Sequence, residues 1–154
     1  MKKLFPILLI IFLFSCKKET VDKTPQLVSK SWKITAMNVL TPLQGTPLDG
    51  LSTNWYEPTD CRFKEIWKLN SSGTLEIKND SSCIFGGLTD ITTGKWTLSN
   101  NNTKINILYS QYGRFTYTII DLTETKLTVQ RNEVTGISGL QTINLLIEYE
   151  FSAQ

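Results

Sequence analysis

From residue 31 to the C-terminus, apolar and polar residues mostly alternate one for one, the two-residue period of strands with one face in a core. Trp32, Ile34 and Ala36 share one face of a first strand, and Phe63, Trp67 and Leu69 one face of a second. Leu75 with Ile77, Trp96 with Leu98, and Ile105 with Ile107 continue the pattern. Phe115, Tyr117 and Ile119, then Leu127 and Val129, then Leu145, Ile147, Tyr149 and Phe151 complete it. Asn70-Ser71-Ser72-Gly73, Ser99-Asn100-Asn101-Asn102 and Asp121-Leu122-Thr123-Glu124 are short turn signals between neighbours, so consecutive strands are antiparallel. Eight strands in a meander tend to close, because closure removes exposed edges. The predicted fold is all-β, an eight-stranded antiparallel up-and-down barrel. Thr24-Pro25 before Gln26-Leu27-Val28 predicts a short helical turn ahead of the first strand, placed to plug one end.

The first residues follow a different pattern. Lys2 and Lys3 precede an unbroken run from Leu4 to Phe14, followed by Ser15-Cys16. A charged start, a short apolar stretch and a small residue before the cut describe a secretory signal peptide. A membrane-spanning helix needs about 20 apolar residues, and Lys17-Lys18-Glu19 ends this run too early. Leu13-Phe14-Ser15-Cys16 resembles the lipobox of bacterial lipoproteins. That resemblance implies that residues 1–15 are removed and that Cys16 carries lipid, palmitate included. It further implies a chain held at the outer membrane of the cell envelope, on its periplasmic or cell-surface face. Residues 16–26 contain little besides polar and charged side chains and read as a flexible tether. Residues 27–154 then form the barrel domain.

Charge and composition narrow the chemistry. The 154 residues carry 16 Lys+Arg, 14 Asp+Glu and no histidine. Without histidine there is no Ser-His-Asp triad and no His-ligated zinc. The formal charge of +2 is too small for a protein that must neutralise many phosphates, so no nucleic-acid partner is expected. Lys2 and Lys3 account for that excess, so the mature chain is balanced. Glu57 with Asp60 read as loop residues rather than an acid and base pair. No catalytic residue, metal or cofactor is assigned, and a non-enzymatic monomer is expected.

Two connections are long. Residues 40–61 hold three prolines and the pair Trp55-Tyr56, and residues 79–91 hold Cys83. Loops of this length in compact domains are functional or disordered. If Ser71-Ser72 form the hairpin tip, paired residue numbers sum to 143, and Cys61 falls opposite position 82, beside Cys83. A structural disulfide Cys61–Cys83 follows, worth roughly 3 kcal/mol in the chain-entropy model. A redox-active pair is the alternative, but the CxxC spacing is absent.

The chain from Leu27 onward resembles the lipocalin-like domain of small bacterial lipoproteins. The features that carry this are Leu27-Val28-Ser29-Lys30-Ser31-Trp32-Lys33-Ile34, a cysteine before the second strand, and Leu69-Asn70-Ser71-Ser72-Gly73-Thr74. A second cysteine, Thr93-Gly94-Lys95-Trp96-Thr97-Leu98-Ser99 and the ending Tyr149-Glu150-Phe151 follow in order. The resemblance implies a barrel with a central cavity and names no activity. Classical lipocalins have Gly-x-Trp on the first strand. Here Lys30-Ser31-Trp32 stands there and Gly94-Lys95-Trp96 lies mid-chain, so no classical ligand is carried over.

The candidate ligand-binding residues are Trp55, Tyr56, Glu65, Trp67, Trp96, Tyr117 and Tyr149. Inward aromatics, with Trp32, Phe115 and Phe151, line a cavity or simply fill the core. Glu65 shares the inward face of Trp67, where a carboxylate needs a partner or a place near the rim. Trp55 and Tyr56 stand at the barrel mouth as a lid, a contact surface or a plug. Two functions fit: an anchored barrel that binds a small hydrophobic ligand at its mouth, or a filled barrel whose long loops bind an envelope protein or a glycan.

Overall fold

A computed structural model describes residues 21–44, 64–78, 91–109, 113–136 and 142–154. The signal segment, Cys16, Trp55, Tyr56, Cys61, Phe63 and Cys83 lie outside them. Helix α1 (Thr24–Val28) precedes strands β1 (Ser31–Val39), β2 (Ile66–Leu69), β3 (Thr74–Lys78) and β4 (Ile91–Ser99). Strands β5 (Lys104–Tyr109), β6 (Gly113–Leu122), β7 (Lys126–Gly136) and β8 (Thr142–Ala153) complete the chain. They form a closed barrel in sequence order, with β8 paired antiparallel to β1. The expected eight-stranded up-and-down barrel is the observed fold. Helix α1 begins inside the expected tether, at Thr24.

The inward alternation holds along β8, where Leu145, Ile147, Tyr149 and Phe151 are all buried. It fails midway along β1. Ile34 pairs with Phe151 but Ala36 pairs with Glu150, so Thr35 is an extra residue in the ladder. A bulge of one residue inverts every later side chain. Met37 and Val39 therefore face the core, and Ala36 does not take the inward place that simple alternation predicts.

The β2–β3 hairpin also departs from expectation. Trp67 pairs with Ile77 and Leu69 with Leu75, so partner numbers sum to 144, not 143. Asn70 N–H donates to Thr74 at 2.8 Å, and Gly73 N–H donates to Asn70 at 2.9 Å. The loop thus has three residues, closed by Gly73 at φ +80°. A two-residue loop would require Ser71 or Ser72 at positive φ, whereas glycine adopts it without steric cost. In the β4–β5 turn, Asn100, Asn101 and Asn102 all adopt positive φ, which asparagine tolerates better than other non-glycine residues.

Candidate functional site

The barrel has two different ends. Helix α1 and the turns at Asn70–Gly73, Asn100–Thr103 and Thr123–Thr125 gather at one. Trp32 is fully buried there and donates its indole N–H to the Leu27 carbonyl at 2.9 Å. Leu27 is equally buried, so the short helix caps this end as the sequence suggests. Trp96 donates its indole N–H to the Asn70 carbonyl at 2.9 Å, tying β4 to the β2–β3 turn. Between Trp32, Trp67, Leu69, Ile107 and Phe151 the remaining void is about 10 Å³, room for no more than one water.

The opposite end receives the connections that follow β1, β3, β5 and β7. Its interior is aromatic and charged. Tyr117 and Tyr149 meet edge to face with ring centroids 5.8 Å apart, and Trp67 lies 5.7 Å from Tyr117 and 5.1 Å from Phe151. Arg131 and Glu133 continue the inward face of Leu127 and Val129 into this cluster. The guanidinium carbon of Arg131 lies 4.5 Å from the Phe115 ring centroid and 5.2 Å from that of Tyr117. Its Nη1 donates to the Tyr117 hydroxyl at 2.8 Å, and its Nη2 pairs with Glu133 Oε1. The Tyr149 hydroxyl donates to the same carboxylate oxygen. Trp67 Nε1 donates to Glu65 Oε2 at 3.1 Å, so Glu65 is partly buried and held against the aromatic cluster.

Burial sets the protonation states. It pushes the Tyr117 hydroxyl up to about 12, against the opposing pull of Arg131. Burial also raises Tyr109 and Tyr149 well above the ordinary tyrosine value; Tyr117 and Glu65 reinforce it at Tyr109, and Glu133 at Tyr149. Burial works against the Arg131 charge, but Tyr117, Tyr149 and Glu133 outweigh it and raise its pKa. At neutral pH the site therefore presents neutral phenols, which can donate and accept hydrogen bonds, around a half-buried ion pair.

Of the sequence-predicted residues, Glu65, Trp67, Tyr117 and Tyr149 come together at this end. Trp96 stands at the capped end, and Trp55 and Tyr56 lie outside the described residues. Sequence reasoning missed Arg131, Glu133 and Tyr109. The period that places Leu127 and Val129 inward also places Arg131 and Glu133 inward, and that extension was the available signal.

The model of a family described as a lipocalin-like domain matches residues 28–129. No curated protein matches the chain. Among solved structures, bovine odorant binding protein in complex with a selenium-containing odorant is similar at 14% identity and TM-score 0.46. That alignment covers 90% of this chain and 76% of that one. The bovine protein in complex with undecanal is similar at 16% identity and TM-score 0.45, over 83% and 73%.

Proposed function

The chain belongs to the lipocalin-like domain family, and from that premise we propose a non-catalytic binding module whose end opposite α1 takes a small ligand. The ligand has an apolar body, to lie against Trp67, Tyr117 and Tyr149, and a polar group, to meet Arg131, Glu133 or Glu65. One observation carries this reading: an Arg–Glu pair inside a barrel. A half-buried ion pair is weak support for stability, and well-packed apolar residues of similar volume often serve as well or better. Its place among phenols at the end opposite α1 suits recognition. Native mass spectrometry of protein purified without detergent tests it. The expected spectrum contains one small-molecule adduct, retained in Trp96→Phe and lost in Tyr149→Phe; a bare chain throughout contradicts it.

The 10 Å³ void near Trp32 favours a second reading, a filled barrel that binds an envelope protein or glycan through its long loops. A bare mass, together with a partner captured only when residues 45–63 are intact, would select it.

This reading includes lipid at Cys16 and residence at the outer membrane. Cys16→Ser is expected to abolish palmitate labelling and move the protein to the soluble fraction. It also includes the Cys61–Cys83 disulfide. Those two numbers sum to 144, as do the paired residues of the β2–β3 ladder, which supports the pairing. Faster non-reducing migration, lost in Cys83→Ser, is the expected result.

A further inference from the structure

The wall of the barrel is interrupted between β6 and β7. Their register runs from Leu122–Leu127 to Thr118–Gln130 and ends there. Beyond that point β6 remains paired to β5 as far as Gly113, and β7 to β8 as far as Gly136. The two strands thus diverge toward the end opposite α1, beside a lateral cleft of about 380 Å³. That volume lies at the small end of the usual range for ligand sites.

The lining has a definite chemistry. Lys104, Arg114 and Arg131 are its charged members, and no acidic side chain lines it among the described residues. The Phe115 ring, over which Arg131 lies, supplies an apolar wall. Thr116, Thr118, Gln130 and Asn132 supply hydroxyl and amide groups. Two of these are already oriented: Thr116 donates to Asn106 at 2.9 Å, and Gln130 donates to Glu148 at 2.9 Å. A second, independent observation comes from Arg131. Its two terminal nitrogens are engaged by Tyr117 and Glu133, yet its buried Nε has no hydrogen-bond partner among the described residues. That nitrogen is closed to solvent, so an acceptor entering the cleft meets it only when the Arg131 side chain shifts.

We propose that this cleft is a lateral binding site for a small hydroxylated organic anion, with a carboxylate or phosphate head. The anionic head meets the Arg114 guanidinium, whose planar donor array suits carboxylate and phosphate oxygens, and lies in the field of Arg131, whose terminal nitrogens stay with Tyr117 and Glu133. Lys104 adds positive charge at the outer side. The hydroxyls of the ligand face Thr118, Gln130 and Asn132, and its less polar face rests on Phe115. The site opens through the wall and shares Arg131 with the interior site proposed above, so Arg114 and Lys104 are the contacts that belong to the cleft alone.

The test follows the Nε–H resonance of Arg131 in nitrogen-15-labelled full-length protein, assigned with Arg131→Lys. Glucuronate, glucose 6-phosphate and neutral glucose are titrated in turn. A saturable shift with either acid and none with glucose is expected, and the acid that responds identifies the head group as carboxylate or phosphate. The double variant Lys104→Gln/Arg114→Gln alters only cleft cations and leaves Arg131 in place. It should weaken binding about tenfold or more. No shift with either acid, an equal response to glucose, or unchanged affinity in the double variant would overturn the proposal. An interior guest is read separately from the mass of the purified protein, so either inference can fail alone.

Discussion

At the capped end, Trp32 and Trp96 each donate to a backbone carbonyl, and Leu27 closes the floor with no exposed surface. Toward the opposite end, the described residues include Arg131, Glu133 and three tyrosines in a hydrogen-bonded cluster. The first arrangement satisfies polar atoms locally and leaves apolar surface to be buried, which is what stability requires. The second holds two half-buried ionic groups, at a partial desolvation cost that apolar residues would avoid. The contrast teaches that one barrel separates a structural half from a chemically equipped half, along strands that run through both.

Removing a capped-end anchor is the severest way to test this division. Trp32→Ala deletes a fully buried indole and should cost about 3–5 kcal/mol, measured by denaturant unfolding. Spectra of Tyr109 and Tyr149 should remain native-like in the protein that is still folded. At the other end, Arg131→Met leaves Glu133 with only part of its partners and should cost roughly 1–3 kcal/mol. Arg131→Met combined with Glu133→Leu should recover most of that loss. Recovery would sharpen the comparison, because it would mean that the pair is not needed for folding. Additive losses in the double variant would break it.

Alkaline pH probes the same contrast more gently. Burial raises Tyr117 from 10.0 to about 12 in the folded chain. A raised pKa contributes stability fully below the unfolded value, so stability is complete below about pH 10 and declines as pH approaches about 12. Ultraviolet phenolate absorbance should lag behind free tyrosine until unfolding. Tyr117→Phe should reduce the loss of stability on the alkaline side. The smallest expected effects return to the capped end. Trp96→Phe removes one indole hydrogen bond, and Gly73→Ala places a side chain at φ +80°. Each should cost about 1 kcal/mol in thermal or chemical unfolding.

Most of the barrel was legible because strand period and turn chemistry agree. Leu145 to Phe151 alternate without interruption, and the asparagines after Ser99 sit where left-handed backbone occurs. Ala36 was misplaced because a bulge leaves no mark in a two-residue period; only the pairing with β8 reveals Thr35 as surplus. The hairpin register shifted by one because loop length depends on which residue takes positive φ, and Gly73, not Ser72, does so. Glu65, Trp67, Tyr117 and Tyr149 were recognisable as one inward set, since each lies on a strand face already defined by apolar neighbours. Arg131 and Glu133 obeyed the same rule but have charged side chains, which a search for apolar alternation passes over. The β6–β7 cleft depends on the distance between strands and has no counterpart in the order of residues.

Indole N–H groups report on the division directly. Trp96 marks the capped end, Trp67 is bonded to Glu65 toward the opposite end, and Trp32 pairs with Trp67 across β1 and β2 and lines the same void. Their proton–nitrogen resonances, assigned by single Trp→Phe replacements, can be followed while decanol is titrated into the protein. If the end opposite α1 is the binding end, the Trp67 resonance shifts saturably while that of Trp96 stays in place. A titration in which Trp96 shifts together with Trp67, or in which Trp67 does not respond, would contradict the account.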